Sequence, residues 1–114
     1  MAEAPITADE FEARVTGQVM SYLTGGMPFG AEEYLDGRRV RWSALDGSCS
    51  EGRWFVAEGS VCFVYEDVAT PQCWSYFDRE GGLLARFENR EDPALYEVTK
   101  SAAPLYCAGP DVGV

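Results

Sequence analysis

Between Gly52 and Phe77 the chain reads GRWFVAEGSVCFVYEDVATPQCWSYF, and its apolar positions recur with a period of two. A two-residue period places successive side chains on opposite faces of a β-strand. The pattern predicts strands over Arg53–Ala57, Ser60–Glu66 and Gln72–Phe77. Glu58-Gly59 forms the first turn, with Gly where positive φ is easiest. That turn sets Trp54 opposite Phe63 and Val56 opposite Val61, with Phe55 and Cys62 together on the other face. If Cys62 and Cys73 are bridged, they lie opposite each other and Val61 falls across from Trp74. That one assumption gathers Trp54, Val56, Val61, Phe63, Tyr65, Trp74 and Tyr76 onto a single buried face. Slipping either register by one residue scatters them.

The flanking segments extend the same architecture. Thr7-Ala-Asp-Glu10 is a capping box, and Phe11 and Val15 share a helical face before Gly17 stops the run. A short amphipathic helix over about residues 8–16 therefore caps one end of the sheet. Gln18–Thr24 alternates as a strand until Gly25-Gly26 breaks it, and Pro28 bars a simple continuation. Ala31–Leu35 and Arg39–Leu45 form a hairpin around Asp36-Gly37, and a bulge at Gly37 puts Tyr34 with Val40 and Trp42. Asp46–Ser50 is a polar loop carrying Cys49. Leu83–Glu88 is a further strand, Asn89–Pro93 a charged loop and Leu95–Thr99 a last edge strand. Ser101–Val114 is an irregular tail.

The expected fold is thus all-β with one short N-terminal helix: an antiparallel meander of about seven or eight strands curled into a small barrel or half-barrel. At 114 residues the chain is one domain, without repeats or a linker.

Four cysteines, no Cys-x-x-Cys pair and no histidine read as two disulfides rather than as zinc ligands. With Cys62 and Cys73 assigned by strand register, Cys49 and Cys107 pair by elimination. Persistent disulfides belong to an oxidising compartment, the periplasm or the exterior. Met1 is followed at once by Ala-Glu-Ala-Pro with no apolar leader, so we expect a signal peptide to have been removed from an exported chain. No apolar run approaches the ~18 residues of a membrane span.

The net charge of -10 argues against a nucleic-acid partner, since phosphate contact needs clustered positive charge. It suits a basic protein partner. Arg38, Arg39 and Arg41 form a local basic cluster that could grip an anion or a partner, or pair with neighbouring carboxylates.

The series Glu33-Tyr34, Asp36-Gly37, Gly52-x-Trp54, Val61-Cys62-Phe63-x-Tyr65 and Cys73-Trp74, behind a helix ending at Gly17, resembles a family of small exported proteobacterial domains without an established function. The likeness spans roughly residues 8–88. It implies export, a lipocalin-like antiparallel sheet and the Cys62–Cys73 pairing, and it supplies no catalytic residues. Cys49, Cys107 and the tail lie outside its pattern.

Lack of histidine removes Ser-His-Asp and Cys-His catalysis. The adjacent carboxylates Glu32/Glu33, Glu66/Asp67 and Glu91/Asp92 fall at predicted strand ends and turns, where solvated charge is the default. No calcium loop or phosphate-binding glycine loop is present, and no cofactor or metal is expected. These features favour a non-enzymatic exported binding module for a small apolar or amphipathic ligand. The face carrying Trp42, Trp54, Phe63, Tyr65, Trp74 and Tyr76 would be its core or its ligand wall. The alternatives are an acidic envelope protein that binds or inhibits a basic partner, and a structural subunit of an envelope assembly.

Overall fold

Eight antiparallel strands close on themselves in the computed structural model, which describes residues 3–89 and 94–108. Helix α1 (Ala8–Val15) leads into β1 (Val19–Thr24), β2 (Met27–Leu35), β3 (Arg39–Ala44) and β4 (Cys49–Ala57). After these come β5 (Ser60–Tyr65), β6 (Val68–Arg79), β7 (Gly82–Phe87) and β8 (Leu95–Lys100). Each strand pairs with the next in sequence, and β8 returns to β1 from Met20↔Lys100 to Leu23↔Glu97. The last strand is therefore not an edge: bonded on both sides, it leaves the sheet without open edges.

The central meander has the expected register, with Trp54↔Phe63, Val56↔Val61, Val61↔Trp74 and Cys62↔Cys73. Glu58 and Gly59 both take positive φ, 50° and 80°, as the twist of a tight hairpin demands. On the face expected to be buried, Tyr65 and Trp74 are only partly buried and Val56 is exposed. It lies two residues from that turn, where the strand outruns the core, and is 39% exposed. Tyr34 lies opposite Val40 across the Asp36–Arg38 turn, on the inward side.

Three strands are longer than expected by several residues; β6 runs Val68–Arg79 rather than Gln72–Phe77, its start pairing with Tyr65 of β5. Gly25 and Gly26 form a tight hairpin, so β2 begins at Met27 rather than Ala31 and runs through Pro28. Proline is tolerated there because the register shifts between Tyr22 and Leu23, a bulge where a ladder hydrogen bond is dispensable. Strand β4 likewise starts at Cys49 rather than Arg53, taking the last two residues of the expected polar loop into sheet.

Helix α1 closes one end of the barrel. Thr7 and Glu10 complete the capping box reciprocally, at 3.1 and 2.8 Å. Arg14 anchors the helix to Asp78 and the Gly82 carbonyl, and Glu12 meets Arg38 at 3.0 Å. Phe11 and Val15 are fully buried beneath it. The Phe11 ring contacts Tyr34, Trp54 and Tyr76, with centroids 5.6, 5.3 and 4.4 Å away.

Two disulfides staple this frame. Cys62–Cys73 crosses from β5 to β6 on the outer face, and Cys49–Cys107 ties the tail to the start of β4. In the chain-entropy picture the shorter loop contributes ~2.8 kcal/mol and the longer ~4 kcal/mol. The tail is also held by the Ala108 amide donating to Gly47 and by Ser43 Oγ donating to the Tyr106 carbonyl. Both bridges fit an oxidising compartment. No described helix is long and apolar enough to cross a membrane.

Truncating the plug tests its weight in the fold. Phe11→Ala removes a buried ring that three aromatics surround, and it is expected to cost ~3–5 kcal/mol in urea unfolding with both disulfides intact. A loss below ~1 kcal/mol would mean that the helix merely rests on the barrel.

Candidate functional site

Inward positions alternate along every strand, and they divide the barrel into two halves. The half beneath α1 is filled by Phe11, Val15, Val40, Trp54, Val61 and Leu83, all buried. The half toward the Gly25-Gly26 and Glu66-Asp67 turns holds a cavity of about 400 Å³. Of the fourteen described residues that line it, nine are aromatic, two are carboxylic acids and none is basic. The aromatic share makes it suited to a flat or amphipathic ligand, and the missing bases disfavour an anion.

Five lining rings touch in a closed circuit. Phe29 meets Trp42 at 5.5 Å, Trp42 meets Tyr22 at 5.6 Å, and Tyr22 meets Trp74 at 6.2 Å between centroids. Trp74 then meets Tyr96 at 5.2 Å, and Tyr96 returns to Phe29 at 4.8 Å. Most of these pairs are edge-on or tilted, the arrangement that ring quadrupoles favour. Two glycines make room for the large rings. A Cβ at Gly30 would fall 2.3 Å from Trp42 Cζ2, and one at Gly52 would fall 2.1 Å from the Val64 carbonyl oxygen and 2.9 Å from the Tyr65 ring.

Between the packed half and the cavity lies a junction of hydroxyls. Tyr22 Oη is 2.6 Å from Tyr34 Oη and 2.8 Å from Tyr76 Oη. Burial pushes all three phenols above their ordinary range, so they remain neutral donors and acceptors.

Glu32 is the unusual residue. It projects inward from β2 opposite Met20 and Trp42, and it is 2% exposed. Tyr65 Oη donates to its Oε1 at 2.8 Å, while Oε2 is buried without a hydrogen-bond partner. Burial pushes the carboxyl up to about 8, and the Tyr65 hydrogen bond only partly opposes this. Glu32 therefore enters neutral solution largely protonated, in a wall where an ionised carboxylate is costly.

Of the aromatic positions singled out from the sequence, Trp42, Phe63, Tyr65, Trp74 and Tyr76 all line the cavity. Trp54 does not. It belongs to the packed half, 2% exposed, with the Arg38 guanidinium 4.3 Å from its ring centroid. Arg38 and Arg41 are engaged by carboxylates of this chain, Glu12 and Glu51, while Arg39 donates to the Asp36 carbonyl.

The sequence reading passed over Tyr22, Phe29, Glu32, Gln72, Phe87 and Tyr96, which also line the cavity. It placed Glu32 among solvated charges at a strand end. The longer β2 instead puts it in mid-strand and inside. Alternation back from Tyr34 was the available signal. Asp67 lies at the cavity's edge and accepts from Ser50 Oγ at 2.8 Å. Glu91/Asp92 lies outside the described residues, and no three potential metal ligands converge among those described.

The chain matches no family model, no curated protein and no solved structure.

Glu32 makes stability depend on pH in a stated direction. Its folded pKa exceeds its unfolded one, so between about pH 4.5 and about 8 the folded state holds a proton that the unfolded state has lost. This contribution is full below the lower value and is lost as pH rises through the upper one. The loss approaches ~1.4 kcal/mol per pH unit inside that window. Thermal melts of the wild type should fall from pH 5 to pH 8 by more than those of Glu32→Gln, which removes the titrating proton. Parallel curves for the two proteins would show that Glu32 titrates normally.

Proposed function

We propose that this chain is an exported binding module, working in the periplasm or outside the cell, which takes a small amphipathic ligand into the open half of its barrel. The observation that carries the reading is the unequal filling of one continuous interior. Side chains pack the half beneath α1, whereas about 400 Å³ stays hollow in the other half, behind a wall of aromatic rings. A barrel serving only as a structural subunit has no need of that volume, because eight strands can be filled by their own side chains. Met27, Phe29, Val68 and Leu95, all exposed, offer apolar surface toward the hollow end. The likeness to small exported domains, the two disulfides and the acidic surface are in keeping with this setting.

Glu32 favours a second reading. A carboxyl titrating near neutrality beside a tyrosine hydroxyl is the kind of group that general acid–base chemistry uses. Recovery of an added ligand unchanged after long incubation supports binding alone; conversion that Glu32→Gln abolishes supports catalysis.

The three tryptophans test the binding reading. Trp42 and Trp74 line the cavity and Trp54 does not, so ligands should alter indole emission through the first two. Across a panel of lipids and aromatic metabolites, Trp54→Phe is expected to retain the ligand-dependent change and the Trp42→Phe/Trp74→Phe pair to lose it. A response confined to Trp54, or none across the panel, would remove the cavity from consideration.

A further inference from the structure

We propose that the cavity is built for a small organic cation, an ammonium ion on an apolar body, with Glu32 as its counter-ion and the aromatic rings as its walls. The inference rests on the binding reading above and specifies its ligand. Three independent observations converge on it.

The first is the unpaired oxygen. Tyr65 satisfies Glu32 Oε1, but Oε2 has no donor among the described residues, although the residue is only 2% exposed. A buried polar atom without a partner is uncommon in a native interior, and Glu32 is among the residues that line the cavity, where a ligand group and a small turn of the carboxyl could complete the hydrogen bonding. A cationic nitrogen completes it and compensates the carboxylate charge at once.

The second is the sign of the lining. Glu32 and Asp67 are the only charged residues among the described ones that line it, and no described basic side chain lines the cavity beside Glu32. The neighbouring arginines face away: Arg41 pairs with Glu51 at 3.5 Å, and Arg38 lies with Glu12 over Trp54. The chain thus presents an acid in its cavity while keeping nearby cations outside it.

The third is the wall itself. The faces of tryptophan, tyrosine and phenylalanine carry partial negative charge, and they attract ammonium groups most strongly where water is excluded. Trp42, Trp74 and Tyr96 are large rings held in a fixed circuit, so little side-chain freedom is lost when a ligand binds. A purely apolar ligand would use these rings but would leave a carboxyl buried for no gain. An anion would meet both acids.

Binding should be coupled to proton release. The free carboxyl is largely protonated at neutral pH, and a cation binds its ionised form. The groups that face Glu32 are the hydroxyls of Tyr22, Tyr34, Tyr65 and Tyr76, all pushed up by burial, and Asp67 at the cavity's edge. Met20 and Trp42, opposite it on the adjoining strands, do not titrate. Glu32 is therefore the group that sets the pH profile.

The test uses the whole oxidised protein and a series of alkylammonium ions, primary to quaternary, each paired with its uncharged carbon isostere. Affinity is read by calorimetry and by Trp42 and Trp74 emission. The cations are expected to bind the wild type at least tenfold more tightly than their isosteres at pH 9, and to weaken by about tenfold per unit below the Glu32 pKa. Glu32→Gln, checked for folding by its melt, should lose roughly 10–100-fold for the cations, flatten their pH profile and leave the isosteres unchanged. Isosteres that bind as well as the cations, with Glu32→Gln silent, would overturn the cation assignment and leave the cavity reading standing. Failure of every cation and every isostere to bind would overturn both.

Discussion

The pairing of β8 with β1 is the constraint from which the other features follow. Once Tyr22 sits opposite Val98 and Met20 opposite Lys100, the sheet is closed and its inward positions share one enclosed space. In an eight-stranded barrel that space is just wide enough for side chains to fill. Every inward residue then competes with those across from it. Gly30 and Gly52 belong to this competition, since each gives up a Cβ to a neighbouring ring or backbone. Substituting alanine at either would force backbone or indole to move, and no free edge remains to absorb the shift.

Closure does not decide how the space is divided. That follows from α1 and from the tyrosine junction. Phe11 enters from one end and meets Tyr34, Trp54 and Tyr76, so side chains pack the interior on that side. The hydroxyls of Tyr22, Tyr34 and Tyr76 pair with one another at the boundary, which gives polar atoms in mid-barrel hydrogen-bond partners. Beyond them the rings of Phe29, Trp42, Tyr22, Trp74 and Tyr96 lean on one another, with Tyr22 of β1 reaching Trp74 of β6, beside a cavity of about 400 Å³. Packing on one side and hollowness on the other are thus two results of one helix plug.

How much of this could be read from the chain depended on distance along it. Trp54, Phe63, Cys62, Cys73 and Trp74 are joined by short turns, so alternation plus one bridge gave their true partners. The capping box fixed α1 for the same reason. Leu95–Thr99 is legible as a strand, observed as Leu95–Lys100, but not as the closing one, because its partner β1 lies at the other end of the chain. Pro28 concealed the start of β2: by itself it argues against a strand, and only the bulge at Tyr22/Leu23 makes room for it. That misreading of one hairpin also hid the site. With β2 begun at Ala31, Glu32 looked like a charge near a strand end, whereas two steps of alternation from Tyr34 carry it inside.

Glu32 is the point at which stability and function pull apart. A leucine or methionine there would fill the wall without a desolvation cost, and the fold of the barrel has no structural need of a carboxyl with one oxygen unpaired. The Tyr65 hydroxyl relieves half of the problem and is itself held between Glu32 and the stacked ring of Phe63. On the proposed reading, a residue that costs stability, held in place by a neighbour and bordering a cavity whose described lining carries no opposing charge, would recover that cost when a ligand completes its hydrogen bonding. The compensation missing from the protein's own side chains defines the chemistry of what the cavity should receive: a donor, positively charged, on a body able to lie against aromatic faces.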